Sequence, residues 1–290
     1  MTKKVYVIKL IFFYLTILKR HKNNVRQGKN VESLHQVRVT TRRLRNAISF
    51  FKPILPKTLM KYGKEIRKIA KVSGDARDLD VQLEFLKKFK RKLKNEPCKS
   101  GIDQFIVNLA QKRLNLQPQL KKAIVELERN KTYAKIQNEL IRIPDIPDDK
   151  FSKTVSEGVI KRLENILKFE SYVYKPHAIE KLHQMRIAAK HLRYSLEGLC
   201  PLYGKEIILF IESVLKIHRT LGELHDFDVW IGQLSKIVKK NKEDKNYLKT
   251  IKYLHDYCRL NRFETYKKFI NIWEELKKND MEGKLIEFFS

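Results

Sequence analysis

The chain has 290 residues, 42% of them hydrophobic and 33% charged, and carries a formal net charge of +29 at neutral pH. That mixture excludes a disordered chain and leaves room for a sizeable core in one domain or two. Positive charge on this scale opposes folding by self-repulsion and favours a polyanionic partner, whether nucleic acid, an anionic membrane or another phosphate polymer.

Only 10 glycines and 8 prolines interrupt the sequence, which suits long helices. Helices are expected at about 5–20, 31–52, 58–90, 101–137, 151–171, 177–200, 203–240 and 245–277. No segment alternates polar and apolar residues for long enough to demand a sheet, so the fold class reads as all-α. The first helix holds "LIFFYLTIL", Leu10 to Leu18. This run is too short to span a bilayer, Lys9 divides it from "VYVI", and no small-residue cleavage signal follows. It is therefore read as a helix, neither a signal peptide nor a membrane span.

The second helix carries "LHQVRVTTRRLRNAISF", Leu34 to Phe50, with four arginines and no acid. On a helical wheel with His35 at zero, Arg42, Arg38 and Arg45 fall at roughly 340°, 300° and 280°, one narrow stripe. Leu44, Val37, Ile48 and Phe51 lie on the opposite, core-facing side, with Leu34 and Thr41 on the border. The third helix contains "GDARDLDV", Gly74 to Val81. Lys71 and Asp78 share a face of it, which places Asp78 to accept hydrogen bonds from the stripe and hold it. Asp80, two residues on, points to other neighbours. "LKKFKRKLK", from Leu86, spreads its lysines over several sides and reads as a solvated surface. "IRIPDIPDDK", Ile141 to Lys150, has two prolines and three aspartates and reads as a linker.

Beyond the linker both motifs return. "LHQMRIAAKHLRYSLEG" starts at Leu182 and "GELHDFDV" at Gly222. His35/His183, Arg38/Arg186, Arg42/Lys190, Arg45/Arg193 and Asp78/Asp226 are each 148 residues apart. Met185, Leu192, Leu196 and Leu199 form the apolar side of the second copy, and Arg219 shares a face with Asp226 as Lys71 does with Asp78. One spacing for two motifs indicates a duplicated helical unit. The expected organisation is a helical domain over about 5–277, with repeats at about 5–140 and 151–277 and a linker at about 141–150. Each repeat is a bundle of about four helices, and the two are related by an approximate two-fold axis that turns their corresponding faces to one shared surface.

Like charges at i,i+4 destabilise a free helix, so a stripe that repeats this arrangement twice calls for an anion. Arginine grips phosphate oxygens bidentately, lysine acts as a point charge, and histidine offers an N–H at neutral pH and a charge in acid. These stripes suit multivalent phosphate. Gly74 and Gly222 either permit a tight turn or a close helix crossing, or are incidental.

Two other classes compete. "HD" at His225–Asp226 fits a metal-dependent phosphohydrolase, but its first-repeat counterpart is Arg77–Asp78, and arginine ligates no metal. No metal-ligand spacing, nucleophile motif or cofactor-binding loop is present, which argues against an enzyme. Nucleic acid, held without sequence specificity, fits the net charge. The stripes lack interleaved aromatics, however, and Tyr194 beside Arg193 is the one candidate for base stacking. Cys98, Cys200 and Cys258 show no pairing pattern, which agrees with a reduced cytoplasm.

"LHQVRVTTRRLR" with "GDARDLDV", and "LHQMRIAAKHLR" with "LGELHDFDV", resemble the CHAD family, the conserved histidine α-helical domain, and the resemblance covers nearly the whole chain. It implies two pseudo-symmetric four-helix halves that bind inorganic polyphosphate in a central basic groove, and an association with polyphosphate granules. The binding residues it implies are His35, Arg38, Arg42, Arg45, His183, Arg186, Lys190 and Arg193, with Lys71 and Arg219 beside them. Lys190, where the first copy has Arg42, keeps the charge but gives up the bidentate grip.

Overall fold

The computed structural model describes residues 2–28, 30–93, 96–240 and 245–290. Among these residues the secondary structure is entirely helical: α1 (Lys3–Gln27), α2 (Val31–Phe50), α3 (Leu59–Lys92), α4 (Glu96–Asn115), α5 (Gln117–Arg129), α6 (Thr132–Ile141), α7 (Asp148–Leu167), α8 (Ile179–Tyr203), α9 (Ile208–Lys240), α10 (Lys245–Lys278) and α11 (Met281–Phe289), with two single 3-10 turns. Lys94, the last residue of the "LKKFKRKLK" run, lies outside the described residues.

The helix ends follow local chemistry. Thr2 caps α1 by accepting from the Val5 N–H, and Gly28, at φ 69°, closes its other end in the left-handed region. The Gln117 side chain of α5 donates to the Val25 and Arg26 carbonyls, at 2.8 and 3.3 Å, and so satisfies the last turn of α1. Asn30 caps α2 by accepting from the Ser33 N–H at 3.0 Å. The apolar run "LIFFYLTIL" lies inside α1, with Ile11, Tyr14, Leu15 and Leu18 buried. Among the described residues no helix is long and apolar enough to cross a membrane.

One expected element breaks up. The segment 101–137 is not a single helix but parts of α4, α5 and α6. Pro118 sits in the first turn of α5, where its missing N–H costs nothing, and Lys131 adopts φ 51° before α6. α3, by contrast, runs undivided for 34 residues. A helix absent from the expectation, α11, follows Asp280, whose carboxylate accepts from the Gly283 N–H at 3.1 Å.

The chain forms two compact units, Met1–Lys94 with Ile102–Thr154, and Asn95–Gly101 with Val155–Ser290. Arg142–Pro147 is non-helical, and the change of unit falls at Thr154–Val155, inside α7. In the first unit, Leu18 and Val25 of α1, Leu34 and Val37 of α2, Ile69 and Ala76 of α3, and Leu120, Ile124 and Leu127 of α5 bury one another. In the second, α9 packs against α8, α10 and α11. Its buried Leu221, Leu224 and Trp230 belong to a core that includes Met185 and Leu192 of α8 and Phe269 and Trp273 of α10.

Gly74 and Gly222 prove to be neither turns nor close crossings. Both lie inside long helices, and a Cβ built on either meets no other atom within 4 Å. Mid-helix glycine costs roughly 0.5–1 kcal/mol relative to alanine. Gly74→Ala and Gly222→Ala should therefore each raise stability by about that amount, read from urea unfolding. A loss of stability in either would reveal a steric requirement at that position.

Candidate functional site

In the first unit, α2 turns a broad apolar face inward. Val37, Leu44 and Ile48 are buried, and so are Leu34 and Thr41, which the wheel put on the border. Thr41 can be buried because its hydroxyl donates to the Val37 carbonyl at 2.8 Å. The wide buried face leaves His35, Arg38 and Arg42 half-buried along its flank and Arg45 exposed. From α3, Asp78 reaches a terminal nitrogen of Arg38 at 2.7 Å, so the acid of the second motif does meet the stripe. Asp78 is largely exposed, and an ion pair of this kind contributes at most about 1 kcal/mol to stability. Its larger consequence is to fix where the guanidinium lies. The Arg38 Nε–H is buried and meets no acceptor among the described residues.

Lys71 is exposed on α3, about two turns before Asp78. Two further α3 arginines join the stripe, and the sequence reading missed both. Arg45 is exposed along part of its length, but partial desolvation, and then the Arg67 guanidinium, hold it below the usual arginine range. Burial lowers the pKa of His35, with Arg77, Arg38 and Arg42 acting the same way and Glu32 opposing. Arg67 stands four residues before Lys71, so helical spacing alone places it on that face.

In the second unit, α8 buries Met185, Leu192, Leu196 and Leu199 and carries His183, Arg186, Lys190 and Arg193 half-buried. Arg193 Nε lies 3.3 Å from Glu197, one turn on. Its guanidinium also stands 4.9 Å from the centroid of the Tyr194 ring. Tyr194 is only 6% exposed, which removes it as a platform for stacking bases. The Arg193 Nε–H is buried and makes no well-aligned hydrogen bond among the described residues, its charge being met by Glu197. Arg219 and Asp226 are exposed on α9.

His225 turns to the stripe. Its Nδ1 lies 2.9 Å from the Nδ1 of His183, with the ring centroids 4.0 Å apart. Burial, Arg186 and then His183 lower its pKa to about 4. Burial, followed by Arg186, also lowers that of His183. Among the described residues no three His, Cys, Asp or Glu side chains converge to hold a metal ion.

The remaining acids, Asp80 and Asp228, have a different task. Arg113 of α4 donates its Nε–H to Asp80 at 2.9 Å, and Arg262 of α10 does the same to Asp228 at 2.5 Å. Arg262 also donates to the Pro176 carbonyl at 2.7 Å. These are structural pairs, repeated in both units, that tie the helix of the second motif to a later one.

The family profile of the CHAD domain matches residues 11–235, which takes in both copies of both motifs. This chain belongs to the CHAD family. Among solved structures, a CHAD domain from the plant Ricinus communis is 19% identical, with a TM-score of 0.69 over 91% of this chain and 88% of that one. PptA from Streptomyces chartreusis is 12% identical, with a TM-score of 0.73 over 94% of this chain and 100% of its own. At these identities the likeness is one of fold, and it agrees with an all-α CHAD architecture. None of the curated proteins matches the chain.

Proposed function

We propose that this CHAD chain binds inorganic polyphosphate and does no chemistry on it. The binding residues are His35, Arg38, Arg42, Arg45 and Lys71 in the first unit and His183, Arg186, Lys190, Arg193 and Arg219 in the second. Asp78 and Asp226 serve as carboxylates that orient the arginines. The observation that carries this reading is the recurrence, in both units, of a half-buried basic stripe along the flank of a helix whose other side is buried, with the Arg38 Nε–H buried and without an acceptor among the described residues. A polymer with about one negative charge per phosphate supplies acceptors in series, and many weak contacts on one chain raise its affinity far above that of a single phosphate. The association of the CHAD family with polyphosphate supports the same substrate class, and a place at polyphosphate granules follows from it.

Calorimetric titration at about 0.15 M salt tests the reading, because exposed charges are then largely screened. Long-chain polyphosphate should bind tightly and orthophosphate far more weakly. Polyphosphate should also displace duplex DNA and RNA of matched total charge. Equal affinity for orthophosphate and the long chain, or displacement of polyphosphate by RNA, would refute it.

A further inference from the structure

Among the differences between the two repeats, one places a histidine against the stripe. Position 77 is arginine, and its counterpart 148 residues on is His225. The first unit therefore sets a permanent cation beside its motif histidine, whereas the second sets another histidine there, at 2.9 Å between the two Nδ1 atoms. Neither Nε2 has a protein hydrogen-bond partner among the described residues.

Imidazole chemistry fixes what such a pair does. Two Nδ1 atoms at this distance share one proton, so one ring donates and the other accepts. In the neutral pair the donor ring has a bare Nε2, which repels an anion, and the acceptor ring carries its proton on Nε2. One added proton, placed on the bare Nε2, leaves the bridge intact. It gives the pair a single positive charge and two Nε2–H donors. A second proton would have to go to the bridging nitrogen and would break the bridge.

We propose that His183 and His225 form a proton-linked subsite for a phosphate oxyanion, peculiar to the second repeat, which takes up one proton as the anion docks. The proposal rests on the polyphosphate reading above and names His225 as a further binding residue. The charged groups acting on the two rings are Arg186, Lys190 and Glu180 from α8 and Asp228 from α9, and Asp228 is itself held by Arg262 of α10. Burial and the neighbouring cations keep the unliganded pair neutral near pH 7. A docked polyanion offsets those cations and raises the proton affinity of the pair. Affinity then increases as pH falls through the pKa of the bound pair, and levels off below that of the free pair. The first unit, with Arg77 in this place, keeps a fixed charge there over the same range.

The test is calorimetry of long-chain polyphosphate at about pH 6.5, near the ordinary histidine pKa, in two buffers of different ionisation enthalpy. Long chains keep titrating end groups few. The wild type should take up about one more proton per bound protein than His225→Arg, which installs the permanent cation of the first repeat, or than the double variant His183→Asn with His225→Asn, which keeps two polar groups but removes both imidazoles. Both variants should still bind, and thermal melting checks that each is folded. Equal proton uptake in the wild type and a folded variant overturns the inference and leaves polyphosphate binding standing. Absence of polyphosphate binding by the wild type overturns both.

Discussion

Replacing Arg42 and Lys190 together by alanine should weaken binding of long-chain polyphosphate at least tenfold and leave the fold unchanged. Both side chains are half-buried on the basic flank of their helices, outside the buried apolar faces of α2 and α8. Removing one charge-assisted contact costs roughly 1.5–3 kcal/mol, and here one is removed from each unit. The control is Lys88→Ala with Lys92→Ala, two exposed positions on α3, where Lys88 pairs with Glu84, one turn before it, at 2.8 Å. The control changes net charge by the same amount, so it isolates the general field of the protein. Titrations of both double variants at one salt concentration decide the matter. An equal loss of affinity in the two would mean that the stripe residues contribute nothing beyond their charge.

Asp228→Leu should be the most damaging single change to stability, at about 3–5 kcal/mol, because it strands the Arg262 guanidinium in a largely buried place. The side chains of Asp228 and Arg262 are 8% and 14% exposed. Burial pushes the Asp228 carboxyl above its ordinary pKa, although the hydrogen bond and charge of Arg262 pull it down. Desolvation therefore outweighs the attraction, and the pair is costly to break without being a large net source of stability. It follows that Asp228→Leu with Arg262→Met should recover most of the loss. Urea unfolding of the two single variants and the double closes the cycle, and a double variant as unstable as Asp228→Leu alone would contradict this account. Asp80 and Arg113 should behave alike in the first unit.

Periodicity made the all-α class and the inward faces of α2 and α8 legible, because helical spacing alone separates Leu44 and Leu192 from the arginines beside them. It also put Asp78 on the face turned to α2, where its carboxylate lies 2.7 Å from Arg38. What remained hidden depends on which helix lies opposite. Arg113 and Arg262 stand 33 and 34 residues beyond the acids they hold, and nothing in their own surroundings marks them as partners. The His183–His225 contact was hidden for the same reason. Reading "HD" as a metal motif looked along α9, whereas His225 is defined by the helix across from it. The break at Pro118 was visible as a residue, but the apolar spacing on either side ran on through it. α11 is nine residues long, a length at which isolated helices are unstable, and it exists by burying Leu285 and Phe289.

The most extensive helix contacts join neighbours in the chain: α1 with α2, α2 with α3, α8 with α9, and α9 with α10. Contacts close in sequence cost little loop entropy, and chains built from them reach the native state quickly. For a polypeptide with this much positive charge the order of events matters, because an early collapse of distant segments would crowd cations before any apolar surface was covered. Hairpin-by-hairpin pairing avoids that. Each step buries leucines and isoleucines between two adjacent helices while their basic flanks remain in water.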